Sequence, residues 1–355
     1  MHAVERRRKV KKMKKTNLLA ILTLAATPAF LHAQVTSYSD IVGYQTISIV
    51  PGLNAIAPSL LNPDVLKSSV ASTSSPNVLA ITGETNIGSK LTSGEPYYVE
   101  VYSGSEKGAR FDVNTASTIS AANGTIVLQN TSTWNSRTLN LANLANATVA
   151  LRKHFTIEQV QNSLVGGSGS WVGNNSFASA DQILLLDPAT QGFTTYFLRL
   201  DGVTWRSTST GTATQNKAPI PPGHGVFVSK RTAGLSIQVA GSVRANDFDQ
   251  PYKAGLQLLA PAVPLDRSPA SLGASQANGW TGNNNFASAD QIQVFDAAAQ
   301  SFSTYFLRLD GSTWRGTATG TTAQTSNNII ASDRAYLVKR NTADSSTVLL
   351  NPISN

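Results

Sequence analysis

A tandem repeat constrains this chain more than any other feature of its sequence. Residues 171–183 recur as residues 280–292 with two substitutions, an offset of 109 residues. The same offset carries residues 193–202 onto residues 302–311. Because copies this similar share one fold, the sequence predicts two tandem units of roughly 100 residues, a period too long for a solenoid.

The repeat is predicted to need no gap, since the same offset also aligns Lys230 with Lys339. Residues 52–58 match residues 255–261 more weakly, which predicts a diverged third copy near the start of the chain. The predicted organisation is a signal peptide at 1–33, an N-terminal β domain at 34–145, a first β repeat at 146–241 and a second β repeat at 242–355.

Local patterns indicate strands along most of the chain. Residues 44–50 alternate between polar and apolar side chains, and residues 124–129 are rich in β-branched ones. Asp201-Gly202 and Asp310-Gly311 each lie between two such runs. They predict two-residue hairpin turns of type I′, in which both central residues have positive φ.

One short helix is predicted near 156–164. Thr156 is a typical N-cap, Gln159 completes a capping box, and Ile157, Val160 and Leu164 lie on one face. Short strands separated by turn residues are typical of β-sandwiches and jelly rolls. The predicted fold class is therefore all-β, with tandem β-sandwich or jelly-roll-like units.

The formal net charge of +8 is concentrated at the N-terminus. Residues 1–33 hold eight basic side chains against Glu5, then an apolar run at 18–26 and a cleavage site after Ala33. This pattern is typical of a signal peptide starting at Met1 or Met13, and it predicts export to the periplasm, cell surface or medium. Its removal leaves a charge of about +1, so neither nucleic-acid binding nor a transmembrane segment is expected.

Residue types that carry catalysis are scarce. The chain has no Cys, which excludes thiol nucleophiles and cysteine-ligated metals. Beyond residue 33 the only histidines are His154 and His224, and both are expected on the surface. A zinc site or a catalytic triad needs more partners than these, so the chain is predicted not to be an enzyme.

Carboxylates and amides that recur in both repeats are the remaining candidate ligands. A glycoside hydrolase would need two carboxylates about 5 to 10 Å apart, but the repeated aspartates fit turns and strand ends better, which makes a hydrolase the least favoured interpretation. Calcium is a candidate ligand of the repeated loops. Its candidate residues are Asn174, Asn175, Asp181, Asn283, Asn284 and Asp290.

Trp205 and Trp314 occupy the same position in the two repeats, each directly before an arginine. An exposed tryptophan offers an apolar face and an indole donor, as a sugar-stacking platform does. Because side chains alternate along a strand, each Trp and the next Arg point to opposite faces. A core position is favoured for both tryptophans, and a ligand-binding position is the alternative.

Four segments resemble the β-sandwich repeats of secreted bacterial surface proteins. They are residues 255–261, residues 289–296, the strand that holds Tyr305, and residues 220–228, which look like the closing strand "I-x-P-G-x-G-F-x-V" of those repeats. The chain is similar to a bacterial family of secreted proteins that combine an N-terminal β domain with tandem repeats. The resemblance implies a β-sandwich fold and export. The second repeat departs from the pattern at residues 330–335, and the family brings no assigned activity.

The sequence favours a non-enzymatic exported protein that serves as a surface, matrix or adhesive component. The expected partners are a polysaccharide or other surface proteins. The alternative is a secreted carbohydrate-binding protein that uses exposed aromatic side chains. No cofactor other than calcium is expected.

Overall fold

The structure is a computed structural model that describes residues 41–341 and 345–349. Its described part is all-β, as the sequence predicts, with two short α-helices, α1 Thr115–Ala121 and α2 Ile157–Asn162. The strands are β1 Val42–Ile49, β2 Gly52–Ile56, β3 Asp64–Ser74, β4 Val78–Ile81, β5 Tyr97–Val101, β6 Arg110–Asp112, β7 Thr125–Val127, β8 Thr148–Lys153, β9 Phe155–Thr156, β10 Gln182–Asp187, β11 Gly192–Leu198, β12 Trp205–Ser207, β13 Pro219–Ile220, β14 Val226–Lys230, β15 Leu235–Ser242, β16 Phe248–Tyr252, β17 Gly255–Leu259, β18 Gln291–Asp296, β19 Ser301–Leu307, β20 Trp314–Gly316, β21 Tyr336–Arg340 and β22 Ser345–Leu349.

Two five-stranded antiparallel sheets share one strand order. The first runs β12-β11-β10-β14-β2, and the second runs β20-β19-β18-β21-β17. On one face of the first sheet, Ile183 and Val228 pack with the two-stranded sheet β1-β15. The intervening Leu184 and Phe227 face the second five-stranded sheet, so both faces are covered.

The register of the closing strands corrects the gapless alignment. Gln182 pairs with Ser229 in the first sheet, whereas Gln291 pairs with Lys339 in the second. The structural offset is therefore 109 residues before β13 and 110 residues after it. Lys230 corresponds to Arg340, and the prediction that it matches Lys339 is wrong. The second repeat has one more residue than the first in the polar loop before its closing strand β21, and this extra residue produces the shift.

The predicted N-terminal domain at 34–145 does not match the sheets. β2 is an edge strand of the first five-stranded sheet, where it occupies the position that β17 has in the second. The match between residues 52–58 and 255–261 is therefore real, but it marks a strand of the first repeat. A third copy is absent from the described residues. Between β2 and β9 the chain forms a separate six-stranded sheet, β6-β5-β8-β3-β4-β7, which we call the inserted sheet.

The chain leaves and re-enters the first repeat at neighbouring points. Asn62 lies just before β3, and its Nδ2 donates to the carbonyl oxygens of Lys153 at 3.3 Å and His154 at 3.0 Å. The same side chain accepts from Gln159 Nε2 of α2 at 3.0 Å. One asparagine thus joins the beginning of the inserted sheet to its end.

Buried charges anchor the inserted sheet to the segment between β15 and β16. Arg244 of that segment pairs with Glu100 of β5, and both side chains are buried. Arg110 of β6 donates to the carbonyl oxygen of Asp249 at 3.0 Å, and its guanidinium lies 3.8 Å from the ring centroid of Phe248. Unpaired buried charges are strongly unfavourable, so these contacts hold the inserted sheet in one position.

The two five-stranded sheets pack through an apolar interface cluster. Gly225 and Ala335 are structural equivalents that meet in this cluster, where a Cβ on Gly225 would collide with that of Ala335. The cluster consists of Ala55, Ala57, Leu186, Phe227, Leu258, Ala260, Phe295, Ala335 and Leu337.

Two glutamines clamp the interface reciprocally. Gln300 accepts from the amide of Leu53 and donates to its carbonyl, both at 2.9 Å. Gln191 makes the same two bonds to Leu256, at 2.6 and 3.1 Å. Both glutamines have positive φ, 56° for Gln191 and 49° for Gln300. A strained backbone at two equivalent positions is maintained by the bonds across the interface.

The hairpin turns differ from the predicted type. Gly202 and Gly311 have positive φ, 74° and 72°, but Asp201 and Asp310 do not. The amide of Gly202 donates to the carbonyl of Arg199, so the glycine is the last residue of a four-residue turn. The aspartate instead accepts amide bonds from the residues after the glycine, a local option that removes the need for a type I′ turn.

The predicted helix is confirmed. Thr156 and Gln159 form the capping box of α2. Helix α1 was not predicted; it begins after the N-cap Asn114, whose side chain accepts from the amide of Ser117. No helix among the described residues is long and apolar enough to cross a membrane.

Candidate functional site

Trp205 and Trp314 are both fully buried in the cores of their repeats. Trp205 Nε1 donates to Gln161 Oε1 of α2, and Trp314 Nε1 donates to the carbonyl oxygen of Ala274, both at 2.6 Å. With no exposed ring face, neither side chain can serve as a sugar-stacking platform. The ligand-binding alternative at these two positions is therefore corrected in favour of core packing.

The aspartates proposed as calcium ligands form buried ion pairs. Asp181 Oδ2 lies 2.7 Å from Lys230 Nζ, and Asp290 Oδ2 lies 2.7 Å from Arg340 Nε. Each carboxylate also accepts two backbone amides; for Asp181 these belong to Val172 at 2.7 Å and Arg231 at 2.8 Å. These bonds occupy both oxygens of each carboxylate, and a calcium ion would need those same oxygens as ligands.

The asparagines proposed as calcium ligands shape the loops before these aspartates. Asn174 Oδ1 accepts the amide of Ser176, and Asn283 Oδ1 accepts the amide of Asn285. Asn175 and its counterpart Asn284 are exposed. No cluster of three or more His, Cys, Asp or Glu side chains that could hold a metal occurs within 41–341 and 345–349. Calcium binding stays a prediction, and the loop hydrogen bonds explain these residues without it.

The other repeated aspartates cap turns, as the sequence predicts. Asp187 accepts the amide of Ala189, and Asp296 accepts the amide of Ala298. Hydrogen bonds from the Thr204 side chain and from backbone amides lower the pKa of Asp201 to about 2. A carboxyl group this acidic is ionised at neutral pH and cannot be the proton donor of a glycosidase.

Both histidines are buried, so the expectation of surface positions is wrong. His154 is 3% exposed, and its Nε2 lies 3.0 Å from Asp112 Oδ1. His224 is 7% exposed, and its ring packs edge-on against Trp134 at a centroid distance of 5.1 Å. Burial, with a smaller contribution from the positive charge of Arg110, lowers the pKa of His224 to about 3.

A polar groove lies beside His154, where the inserted sheet meets the first repeat. This junction groove has a volume of about 960 Å³, and Asp112, His154, Trp134, Glu95 and Lys217 line it. Its floor and rim also carry neutral amide and hydroxyl side chains, namely Asn77, Asn114, Gln129, Asn130, Thr131, Ser132 and Thr133.

The charged groups of the junction groove are paired with one another. Burial raises the pKa of Asp112, but the hydrogen bond and charge of His154 outweigh it, so the pKa lies below its usual value. Ser132 donates to the same carboxylate, which places Asp112 between Ser132 and His154. A serine nucleophile needs the histidine as its direct neighbour, so this order does not form a triad.

The second carboxylate of the groove is neutralised by lysines. Glu95 lies 2.8 Å from Lys217 Nζ and 3.9 Å from Lys153 Nζ. Both carboxylate oxygens of Glu95 therefore face lysine side chains. Sequence reasoning missed this groove because Asp112 and His154 are far apart in the chain. The scarcity of histidine was the one signal that could have drawn attention to it.

Comparisons with protein-family models, curated proteins and solved structures find no match for this chain. The resemblance to secreted β-repeat proteins therefore stays a prediction, and function has to be argued from the residues themselves.

Proposed function

We propose that this chain is a non-enzymatic exported protein that serves as a surface, matrix or adhesive component. The observation that carries the proposal is the fate of the repeated carboxylates. Asp181 and Asp290 are consumed by buried ion pairs, and Asp187 and Asp296 cap turns. Every repeated acidic position thus has a role in folding, as a structural protein requires.

The packing of the repeats supports the same proposal. Two sheets joined by an apolar interface cluster and by the Gln191 and Gln300 clamps form one stiff body. The junction groove is open, and its charged groups are already paired with one another. A stiff body with neutral polar surfaces suits a load-bearing or adhesive role better than catalysis.

The export part of the proposal rests on residues 1–33, which lie outside the described residues. Mass spectrometry of the protein recovered from fractionated native cells should give an N-terminus at Gln34. The variant Leu22→Arg, which interrupts the apolar run at 18–26, should abolish that cleavage, whereas Thr16→Arg should not. A mature protein that retains Met1 or Met13 and stays with the cytosolic fraction would refute export.

Carbohydrate binding is a second candidate, favoured by the junction groove. A groove of about 960 Å³ lined by hydroxyls, amides and the half-buried Trp134 fits a short stretch of sugar chain. The double variant Asn130→Ala/Thr131→Ala should weaken retention on an immobilised polysaccharide without changing the melting temperature. Retention equal to that of the wild type would remove this groove as the site.

A further inference from the structure

Each repeat exposes one phenylalanine from the same turn. Phe177 is 52% exposed and Phe286 is 49% exposed. Each ring lies beside a buried partner, Phe197 or Phe306, and the centroid distance is 6.4 Å in both repeats. Two half-exposed rings with the same geometry are unfavourable in water and contribute little to either core.

The turns hold these rings in place without burying them. Phe177–Ser179 and Phe286–Ser288 are single 3₁₀ turns. The buried side chains of Gln182 and Gln291 donate through Nε2 to the carbonyl oxygens of Phe177 and Phe286, at 2.6 and 2.7 Å. The backbone that carries each ring is therefore fixed from inside the protein, which pre-organises the exposed face for a ligand.

The exposed ring in the second repeat forms one wall of a small pocket. Its volume is about 400 Å³, and its lining is Phe286, Thr304, Phe306, Gly316, Thr317 and Gly320. None of these six side chains is charged. The aligned positions in the first repeat are Phe177, Thr195, Phe197, Ser207, Thr208 and Gly211, so five of the six residues are identical and Ser207 replaces Gly316. Gly211 and Gly320 also share a positive φ, 64° and 62°.

We propose that Phe177 and Phe286 are the stacking platforms of two equivalent sites for the sugar rings of a neutral polysaccharide. The apolar face of a pyranose stacks on an aromatic ring, while hydroxyls and backbone groups beside it take the sugar hydroxyls. The lining offers a sugar no charged group, and the Arg308 guanidinium stands 5.9 Å from the Phe306 ring centroid, so the pocket itself fits a neutral sugar ring. The inference extends the carbohydrate-binding candidate to new residues and does not depend on the junction groove.

A protein partner fits these pockets less well. A stable protein interface buries about 800 Å² on each side around a packed apolar centre. The platform in the second repeat is instead one ring with a pocket of about 400 Å³, the size of a sugar or two. Two small equivalent sites on one chain also suit a ligand that repeats along its length.

The test is retention of the mature chain on cellulose, chitin and immobilised alginate. We expect retention on at least one of the two neutral polymers and at least tenfold weaker retention of the double variant Phe177→Ser/Phe286→Ser. Each single variant should bind half as many equivalents of the matching soluble hexasaccharide. Leu200→Ser/Leu309→Ser is the matched control, since these leucines are equally repeated and 65% and 61% exposed.

Three outcomes would overturn the inference. The first is wild-type retention of the phenylalanine double variant, and the second is retention on alginate alone. The third is a wild-type dimer that the double variant converts to a monomer in light scattering, which would assign the rings to self-association. Loss of binding in Asn130→Ala/Thr131→Ala, with wild-type binding in the phenylalanine double variant, would support the junction groove and refute the platforms.

Discussion

The two repeats solve the same burial problems with different groups. Each core holds a tryptophan whose indole N–H needs an acceptor. In the first repeat Gln161 of α2 supplies a side-chain oxygen, whereas in the second the backbone carbonyl of Ala274 takes that place. Either kind of oxygen satisfies the buried indole donor at this position, so the fold does not fix the residue that supplies it.

The buried ion pairs show a second difference. Lys230 Nζ contacts Asp181 at 2.7 Å and Thr232 Oγ1 at 3.4 Å. Arg340 contacts Asp290 and, in addition, donates to the carbonyl of Gly279 at 2.5 Å and to Ser345 Oγ at 2.8 Å. A planar guanidinium can serve several acceptors at once, so the second repeat depends more heavily on one side chain.

Replacing these two cations should give the largest difference in the free energy of unfolding between the two repeats. Arg340→Met should lower the free energy of unfolding by about 5 kcal/mol, and Lys230→Met by about 3 kcal/mol, since each leaves a buried carboxylate unpaired. Urea denaturation of both variants measures the difference. The control is Arg231→Met, an exposed side chain that loses one hydrogen bond to the Ala180 carbonyl and should cost no more than about 1 kcal/mol. Equal losses in the two methionine variants would contradict the comparison.

The contact between equivalent residues at the interface should show the next largest effect. Gly225→Ala places a Cβ against Ala335 and should lower the free energy of unfolding by about 2 kcal/mol. Adding Ala335→Gly removes the collision, so the double variant should recover about half of that loss. A double-mutant cycle in urea measures the coupling. A coupling energy of zero would show that the two sheets separate to admit the methyl group.

Replacing the two turn glycines should lower stability by different amounts, although their φ values agree. Gly202→Ala meets open space and should lower stability by about 1 kcal/mol through backbone strain alone. Gly311→Ala should lower it by about 2 kcal/mol because the new Cβ collides with the Gln276 side chain. Gln276→Ala in that background should restore the smaller value. Thermal unfolding of these three variants and the wild type measures both effects, and a larger loss at Gly202 would contradict the assignment.

The first repeat should lose more folding stability in acid than the second repeat. His224 is neutral and buried with a pKa of about 3, and its structural equivalent is the partly exposed Arg334. The unfolded chain protonates this histidine below its ordinary pKa near 6.5, so stability is complete above that value and falls as the pH drops toward 3. The expected slope is about 1 kcal/mol per pH unit. Between pH 7 and 5, the urea midpoint of His224→Gln should depend less on pH than that of the wild type. An unchanged pH dependence would exclude His224 as its source.

Local signals predicted the elements that depend on neighbouring residues. The capping box of α2 and the alternation of β1 need only a few adjacent side chains, and both are confirmed. The core positions of Trp205 and Trp314 follow from alternation along a strand. Helix α1 was missed because its Thr, Ser and Ala residues have no apolar period and its only signal is the cap of Asn114.

Features that depend on distant partners could not be predicted. His154 follows β8, and its buried ring contacts Asp112 of β6, which lies about forty residues earlier in the chain. The insertion itself separates β2 from β14, its partner in the sheet, and no local pattern reveals such a detour. The one-residue shift before β14 falls in a polar loop, where the sequence is too degenerate to place a gap.

The bridge made by Asn62 gives the inserted sheet the character of an exchangeable cassette. Its two ends meet at one side chain, so a foreign domain with adjacent termini could occupy the same place without altering the strand order of its host. The second repeat demonstrates the minimal version, since residues 260–279 close the same connection with only short turns. Genetic recombination at this point would diversify the protein while conserving the scaffold that carries it.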